Sequence, residues 1–263
     1  MAQLNVKYYS ECLKRPASFQ MFIPNDMRND APWEKPHKFC ADRPMKTLFL
    51  LHGYAGCAWN WVSEGLAKKY NFAIVAPEGE NGFWLDGIST GHRFCTMLGE
   101  ELIGYIRKTF RLAMTPGDTF ILGYSMGGFG ALHTGFAYPE VFGKVGAMSS
   151  ALIVHEVAEM EEGRGNNVAN FEYYRECFGD PTKLLGSVND PEMLVDRLIA
   201  DGAKMPEIYM CCGTQDFLIG NNRRFHEFLE SRGVPHIYKE SEGAHDMPFW
   251  NEYTEKIIGW MFE

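Results

Sequence analysis

The sequence predicts an α/β fold, a mostly parallel sheet with helices on both faces, on three observations. Short continuous apolar runs at residues 47–51, 72–76, 119–122 and 208–212 suit strands buried on both faces. Segments of helical spacing lie between them, and strands alternating with helices imply a parallel sheet. A G-x-S-x-G pattern, Gly123 to Gly127, stands where one such run gives way to a helical segment.

Taken in order, residues 6–9 and 18–23 open the chain as an antiparallel pair. β-Branched and aromatic residues cluster there, and Pro24, Asn25 and Asp26 supply a stop. Residues 24–44 read as loop. The run 47–51 ends in His52 and Gly53, as a central strand would. Leu98, Leu102, Ile106 and Phe110 fall four apart, with Glu100, Glu101, Arg107 and Lys108 on the other faces, which predicts an amphipathic helix. Further helices are expected at about 127–138, stopped by Pro139, at 222–232 and at about 249–262, with a last strand at 237–240. Residues 150–206 break the alternation. They are acidic near 156–162 and rich in Asn, Gly and Asp before a helical stripe of Met193, Leu194 and Leu198. They read as a cap-like insertion over one edge of the sheet, within a single domain spanning residues 1–263.

Composition narrows the function. At 263 residues, 46% hydrophobic and 22% charged, the chain can bury a large core and is neither disordered nor of low complexity. Lys and Arg number 25 against 34 Asp and Glu, and the net charge of −9 repels phosphate backbones and anionic lipid, so nucleic acid is not an expected partner. No apolar run approaches the roughly 20 residues that cross a bilayer. The first ten residues lack the basic, apolar and cleavage segments of a secretory signal, and a cytoplasmic location is expected. Seven cysteines with no C-x-x-C pair read as reduced thiols, and Cys57 and Cys95 as packing residues rather than nucleophiles. Eight histidines show no H-x-x-x-H or H-E-x-x-H spacing, so no metal is expected.

The chemistry is expected at Ser125. In a strand–turn–helix elbow the serine occupies a strained turn, and the N–H of the next residue, Met126, is placed to donate to a developing oxyanion. A serine hydroxyl needs a base, and the base needs an orienting acid. Asp216 and His245 follow the runs 208–212 and 237–240, at the ends of parallel strands where ligands bind in such sheets. Asp246 is the rival acid, but adjacency turns its side chain away from His245. The loop Leu51-His52-Gly53-Tyr54-Ala55-Gly56 offers the second oxyanion donor, the Tyr54 N–H, with Gly53 as the alternative, while His52 reads as a residue that holds the loop. Of the aromatic residues near these motifs, Trp59, Trp61, Trp84, Phe217, Phe249 and Trp250, those expected to line a substrate pocket are Trp84 and Phe217.

With Leu51-His52-Gly53, the segment 123–128 followed by Gly130-Ala131, the stretch from Cys212 to Leu218, and Gly243-Ala244-His245-Asp246 with Trp250, the sequence resembles the Putative esterase family of the α/β-hydrolase superfamily. That family includes S-formylglutathione hydrolases, tributyrin esterases, feruloyl and acetylxylan esterases and mycolyltransferases. The resemblance runs from about residue 48 to the C-terminus and is vaguest across 150–206. It implies a cofactor-free serine carboxylesterase acting on small-molecule acetyl, butyryl or cinnamoyl-type esters. Ser125 would be its nucleophile, His245 its base and Asp216 its acid. The stretch from Pro77 to Arg93 is shorter than S-formylglutathione hydrolases usually carry before the elbow, which makes thioester hydrolysis the alternative. A hydrolase-fold binding protein with little turnover, and acyl transfer to an alcohol, are the other readings. The insertion bears on substrate choice as a cap, or on a homo-oligomer as an interface.

Overall fold

The computed structural model describes residues 2–25 and 43–263. Eight strands form one sheet: β1 (Ala2–Ser10), β2 (Arg15–Ile23), β3 (Lys46–Leu51), β4 (Phe72–Pro77), β5 (Thr119–Tyr124), β6 (Lys144–Met148), β7 (Glu207–Gly213) and β8 (Ile237–Ser241). Their order is β1-β2-β4-β3-β5-β6-β7-β8. The first two pairings, β1 with β2 and β2 with β4, are antiparallel and the rest are parallel. The loop expected at 24–44 lies mostly outside the described residues.

The apolar runs are continuous because each strand interior faces helices on both sides. Along β5, Phe120 and Leu122 join one core cluster and Ile121 the other, and along β3 Leu48 and Leu50 oppose Phe49 and Leu51 in the same way. On one face lie α1 (Glu64–Tyr70) and the C-terminal helix, Met247–Phe262, whose Phe262 stacks on Phe72 with ring centroids 4.1 Å apart. On the other lie a helix in three parts, α2 (Phe94–Thr96), a π-helical turn over Met97–Leu102 and α3 (Ile103–Phe110), together with α4 (Met126–Ala137). Leu102 and Ile106 of the predicted stripe are fully buried, and Phe110 is half-buried.

Residues 150–206 carry three α-helices, α5 (Val154–Ala158), α6 (Phe171–Phe178) and α7 (Pro191–Ala200). Then come α8 (Ile219–Ser231) and α9, the C-terminal helix. The sequence reading did not include β6 or α1. With one β-branched residue in Lys-Val-Gly-Ala-Met, β6 has little strand propensity of its own. It forms because β5 and β7 flank it, and a Cβ at its Gly146 would stand 2.7 Å from both Leu122 and Ile257.

The chain turns from β3 outward to β4 and then crosses back to β5, so β3 and β5 are neighbours at a switch point in strand order. The loops after them lie side by side there, where open α/β sheets hold their ligands.

Candidate active site

Ser125 sits between the end of β5 and the start of α4 with φ 55° and ψ −122°, a conformation that costs an L-residue on the order of 1–3 kcal/mol. Its surroundings hold it there. The Ser125 N–H donates to the Met148 carbonyl at 2.9 Å, and its own carbonyl accepts from Phe129 and Ala151 at 3.1 and 3.0 Å. The flanking glycines are a packing requirement. A Cβ at Gly123 would lie 2.1 Å from the Gly127 carbonyl oxygen, and one at Gly127 would lie 2.0 Å from that of Leu51.

The turn aims the Ser125 hydroxyl at His245, with Oγ 3.0 Å from Nε2. The other ring nitrogen, Nδ1, lies 2.9 and 3.0 Å from the two carboxylate oxygens of Asp216. A carboxylate only accepts, so Nδ1 carries the proton and Nε2 presents its lone pair to the serine. The Asp216 side chain is fully buried. Burial alone would raise its pKa, but hydrogen bonds from His245, Leu218 and Ser149 outweigh that and hold the carboxyl below its ordinary value. The Leu218 N–H donates at 2.8 Å. Asp246, the rival acid, instead caps α9 by accepting the Phe249 N–H at 3.2 Å.

Two backbone N–H groups flank the serine. That of Met126 opens α4, where first-turn donors have no intrahelical acceptor and the helix dipole is positive. The Tyr54 N–H makes no hydrogen bond to the described residues. Its loop passes close to Ser125, since a Cβ at Gly53 would lie 2.8 Å from the Tyr124 ring and 3.4 Å from Ser125 Cβ. His52, 1% exposed, braces this loop. Its Nδ1 donates to the Gly53 carbonyl at 2.8 Å and its Nε2 accepts the Gly79 N–H at 3.0 Å, which fixes the neutral tautomer. Asn81 Oδ1 accepts the Ala55 N–H at 2.7 Å.

The two aromatic expectations part company. Phe217 is 74% exposed, lies 4.5 Å from the His245 ring between centroids, and lines the cavity in front of Ser125. Trp84 does not line it. It is fully buried beneath the loop after β3, with its indole N–H donating to the His52 carbonyl at 3.3 Å. A Cβ at Gly79 or Gly130 would meet its ring at 2.4 Å, so its place is in packing that supports the loop. Trp250, 4.9 Å from His245, donates to Ser149 Oγ at 3.0 Å.

The cavity, about 620 Å³, has Ser125 and His245 in its lining. Much of its wall comes from the segment after β6: Ile153, Val157, Met160 and Val168 supply apolar surface, and Glu156, Asn166 and Asn167 polar groups. Asn221 of α8 completes the polar side. None of these follows a spacing rule, and the sequence reading named none of them. Among the described residues, no cluster of three or more His, Cys, Asp or Glu is placed to hold a metal ion.

The profile of the family described as Putative esterase matches residues 35–259. An acetyl esterase from Caldicellulosiruptor saccharolyticus is 38% identical over 265 residues, covering 99% of this chain and 98% of that protein. Among solved structures, the substrate-bound fluorophosphonate-binding serine hydrolase F of Staphylococcus aureus superposes with a TM-score of 0.82 at 23% identity, covering 100% of this chain and 98% of that one. The S-formylglutathione hydrolase of the same organism gives 0.80 at 24%, covering 100% and 99%. A ferulic acid esterase gives 0.72 at 21%, covering 99% and 98%.

Proposed function

This chain belongs to the Putative esterase family and is a serine ester hydrolase of the α/β-hydrolase fold, and we propose that it works with Ser125 as nucleophile, His245 as base and Asp216 as orienting acid. The observation that carries the assignment is the unbroken line of contacts from Ser125 Oγ through His245 to Asp216, at 3.0 and 2.9 Å.

Ser125 Oγ attacks the ester carbonyl while Nε2 of His245 takes its proton. Asp216 stabilises the imidazolium that results. The carbonyl oxygen, now negative, is held by the N–H groups of Met126 and Tyr54. His245 then protonates the departing alcohol, leaving an acyl-serine. Water, deprotonated by the same imidazole, releases the acid in a second passage through the same geometry. Ester and water become acid and alcohol with no electron transfer, and His245 carries each proton that moves.

Acetyl and other short acyl groups, or aryl acyl groups, are the proposed substrates. The 38% identical acetyl esterase and the apolar side of the cavity support them. Residues 150–206 act as a cap within a single domain, a role supported by their share of the cavity wall. A cytoplasmic location is proposed from the sequence, whose seven cysteines include no C-x-x-C pair. No helix among the described residues is long and apolar enough to cross a membrane.

Steady-state hydrolysis of p-nitrophenyl acetate, butyrate and octanoate beside methyl ferulate and S-formylglutathione, with wild type and Ser125→Ala in parallel, tests the proposal. Turnover of the short-chain or ferulate esters that falls at least 10³-fold in Ser125→Ala is expected. Near-normal turnover in that variant would remove Ser125 from the mechanism. A preference for the thioester would move the substrate class to S-formylglutathione.

A further inference from the structure

We infer that the cavity selects uncharged esters and rejects those with a negative charge on the acyl or alcohol side, and that Glu156 is a specificity-determining residue for this choice. The inference rests on the proposed serine chemistry and names its substrate class.

Among the described lining residues there is no lysine or arginine, and Glu156, on α5, is the one carboxylate. It is fixed in place from α8: Asn221 Nδ2 donates to Oε1 at 2.7 Å. The Arg224 guanidinium approaches each Glu156 oxygen at 3.4 Å and donates to the Leu152 carbonyl at 3.2 Å. Arg224 is not part of the lining, so it offsets the Glu156 charge in part without offering an anion a partner in the cavity.

The wider field has the same sign. Between residues 150 and 206 there are eleven Asp and Glu against five Lys and Arg, so this segment carries six of the nine net negative charges of the chain. An anionic substrate would leave water for a largely apolar wall with no cation to receive it, and would approach a carboxylate within a negative field. An uncharged ester meets neither penalty. Both penalties act on free substrate reaching the transition state, so they appear in kcat/KM. S-formylglutathione, whose glutathione half carries two carboxylates, falls among the disfavoured substrates.

Two matched pairs test this: p-nitrophenyl butyrate against p-nitrophenyl hemisuccinate for the acyl side, and methyl 4-acetoxybenzoate against 4-acetoxybenzoate for the alcohol side, each corrected for its rate of hydrolysis by hydroxide. In wild type at low salt, kcat/KM is expected to favour the uncharged member of at least one pair by about 100-fold, and 0.5 M NaCl should narrow the ratio. Glu156→Gln keeps an oxygen for Asn221 and removes the charge. It should reduce the ratio about tenfold, and because the ratio is taken between two substrates of one variant, a change in rate common to both cancels. Arg224→Gln, which strips Glu156 of its counter-charge, should move the ratio the opposite way, and a merely structural link between α5 and α8 would not produce opposite signs. Wild-type ratios within threefold for both pairs, or a ratio that Glu156→Gln leaves unchanged, would overturn the inference. Loss of Ser125-dependent turnover of the uncharged esters would remove the serine mechanism itself, whereas equal turnover of charged and uncharged esters removes only the charge selection.

Discussion

Replacing Asp216 by asparagine separates the orientation of the imidazole from its presence. Oδ1 of Asp216 accepts the Leu218 N–H at 2.8 Å, so an amide at this position keeps its oxygen there. Its NH₂ group then replaces Oδ2, 2.9 Å from Nδ1 of His245. Oδ1, 3.0 Å from Nδ1, is shared with the Leu218 N–H, and an amide N–H facing Nδ1 can only donate, which favours the imidazole proton on Nε2, the atom 3.0 Å from Ser125 Oγ. The base then meets the serine with a proton already on the atom that should receive one. A serine triad whose acid is replaced in this way loses about 10⁴ in kcat, about 5.5 kcal/mol of transition-state stabilisation. The assay is saturating p-nitrophenyl acetate, with thermal melting to show that Asp216→Asn is folded. A folded variant within tenfold of wild type would refute the orientation argument and move the acid elsewhere.

Gly127→Ala should fail to fold or lose at least about 3 kcal/mol, because its Cβ would stand 2.0 Å from the Leu51 backbone oxygen, where no side chain can yield; a soluble variant with wild-type melting temperature would contradict the elbow packing. His133 is buried with its pKa pushed down to about 4, chiefly by burial and against its bond to the Val188 carbonyl. Below its ordinary value near 6.5 the unfolded chain takes up a proton that the folded chain refuses until about pH 4. Stability should therefore fall across that window by up to about 3 kcal/mol. Urea unfolding at pH 7 and pH 4.5 measures this, and His133→Gln should show a shallower fall; equal slopes would remove His133 as the cause.

The central strands were legible because burial on both faces leaves a continuous apolar run, and β3, β4, β5 and β7 each carry one. The sharp turn at Ser125 was legible because close packing forbids side chains at Gly123 and Gly127, and that prohibition is written as residue identity. Asp216 and His245 could be named from their places after strands and from the family resemblance. The failures have one cause. β6 forms through its neighbours rather than its own residues, the walls of the cavity obey no spacing, and Trp84 stands close to the motifs in sequence while facing the interior. Where a residue's role depends on which distant surface it meets, as with Glu156 and α8, the linear order carries no mark of it.

The groups that would break and make bonds stand on strand ends, while the residues that shape the cavity stand largely on the segment between β6 and β7. These two parts have unequal tolerance of drift. A change at Gly127 or Asp216 strikes backbone or a buried charge that the whole sheet holds in place. A change at Val168, 56% exposed, or elsewhere along that wall alters what the cavity admits and leaves the elbow as it was. Descendants of one ancestral hydrolase that changed only along that wall would keep the elbow while the shape of the cavity drifted, and the same short stretch is where directed evolution of substrate choice would begin.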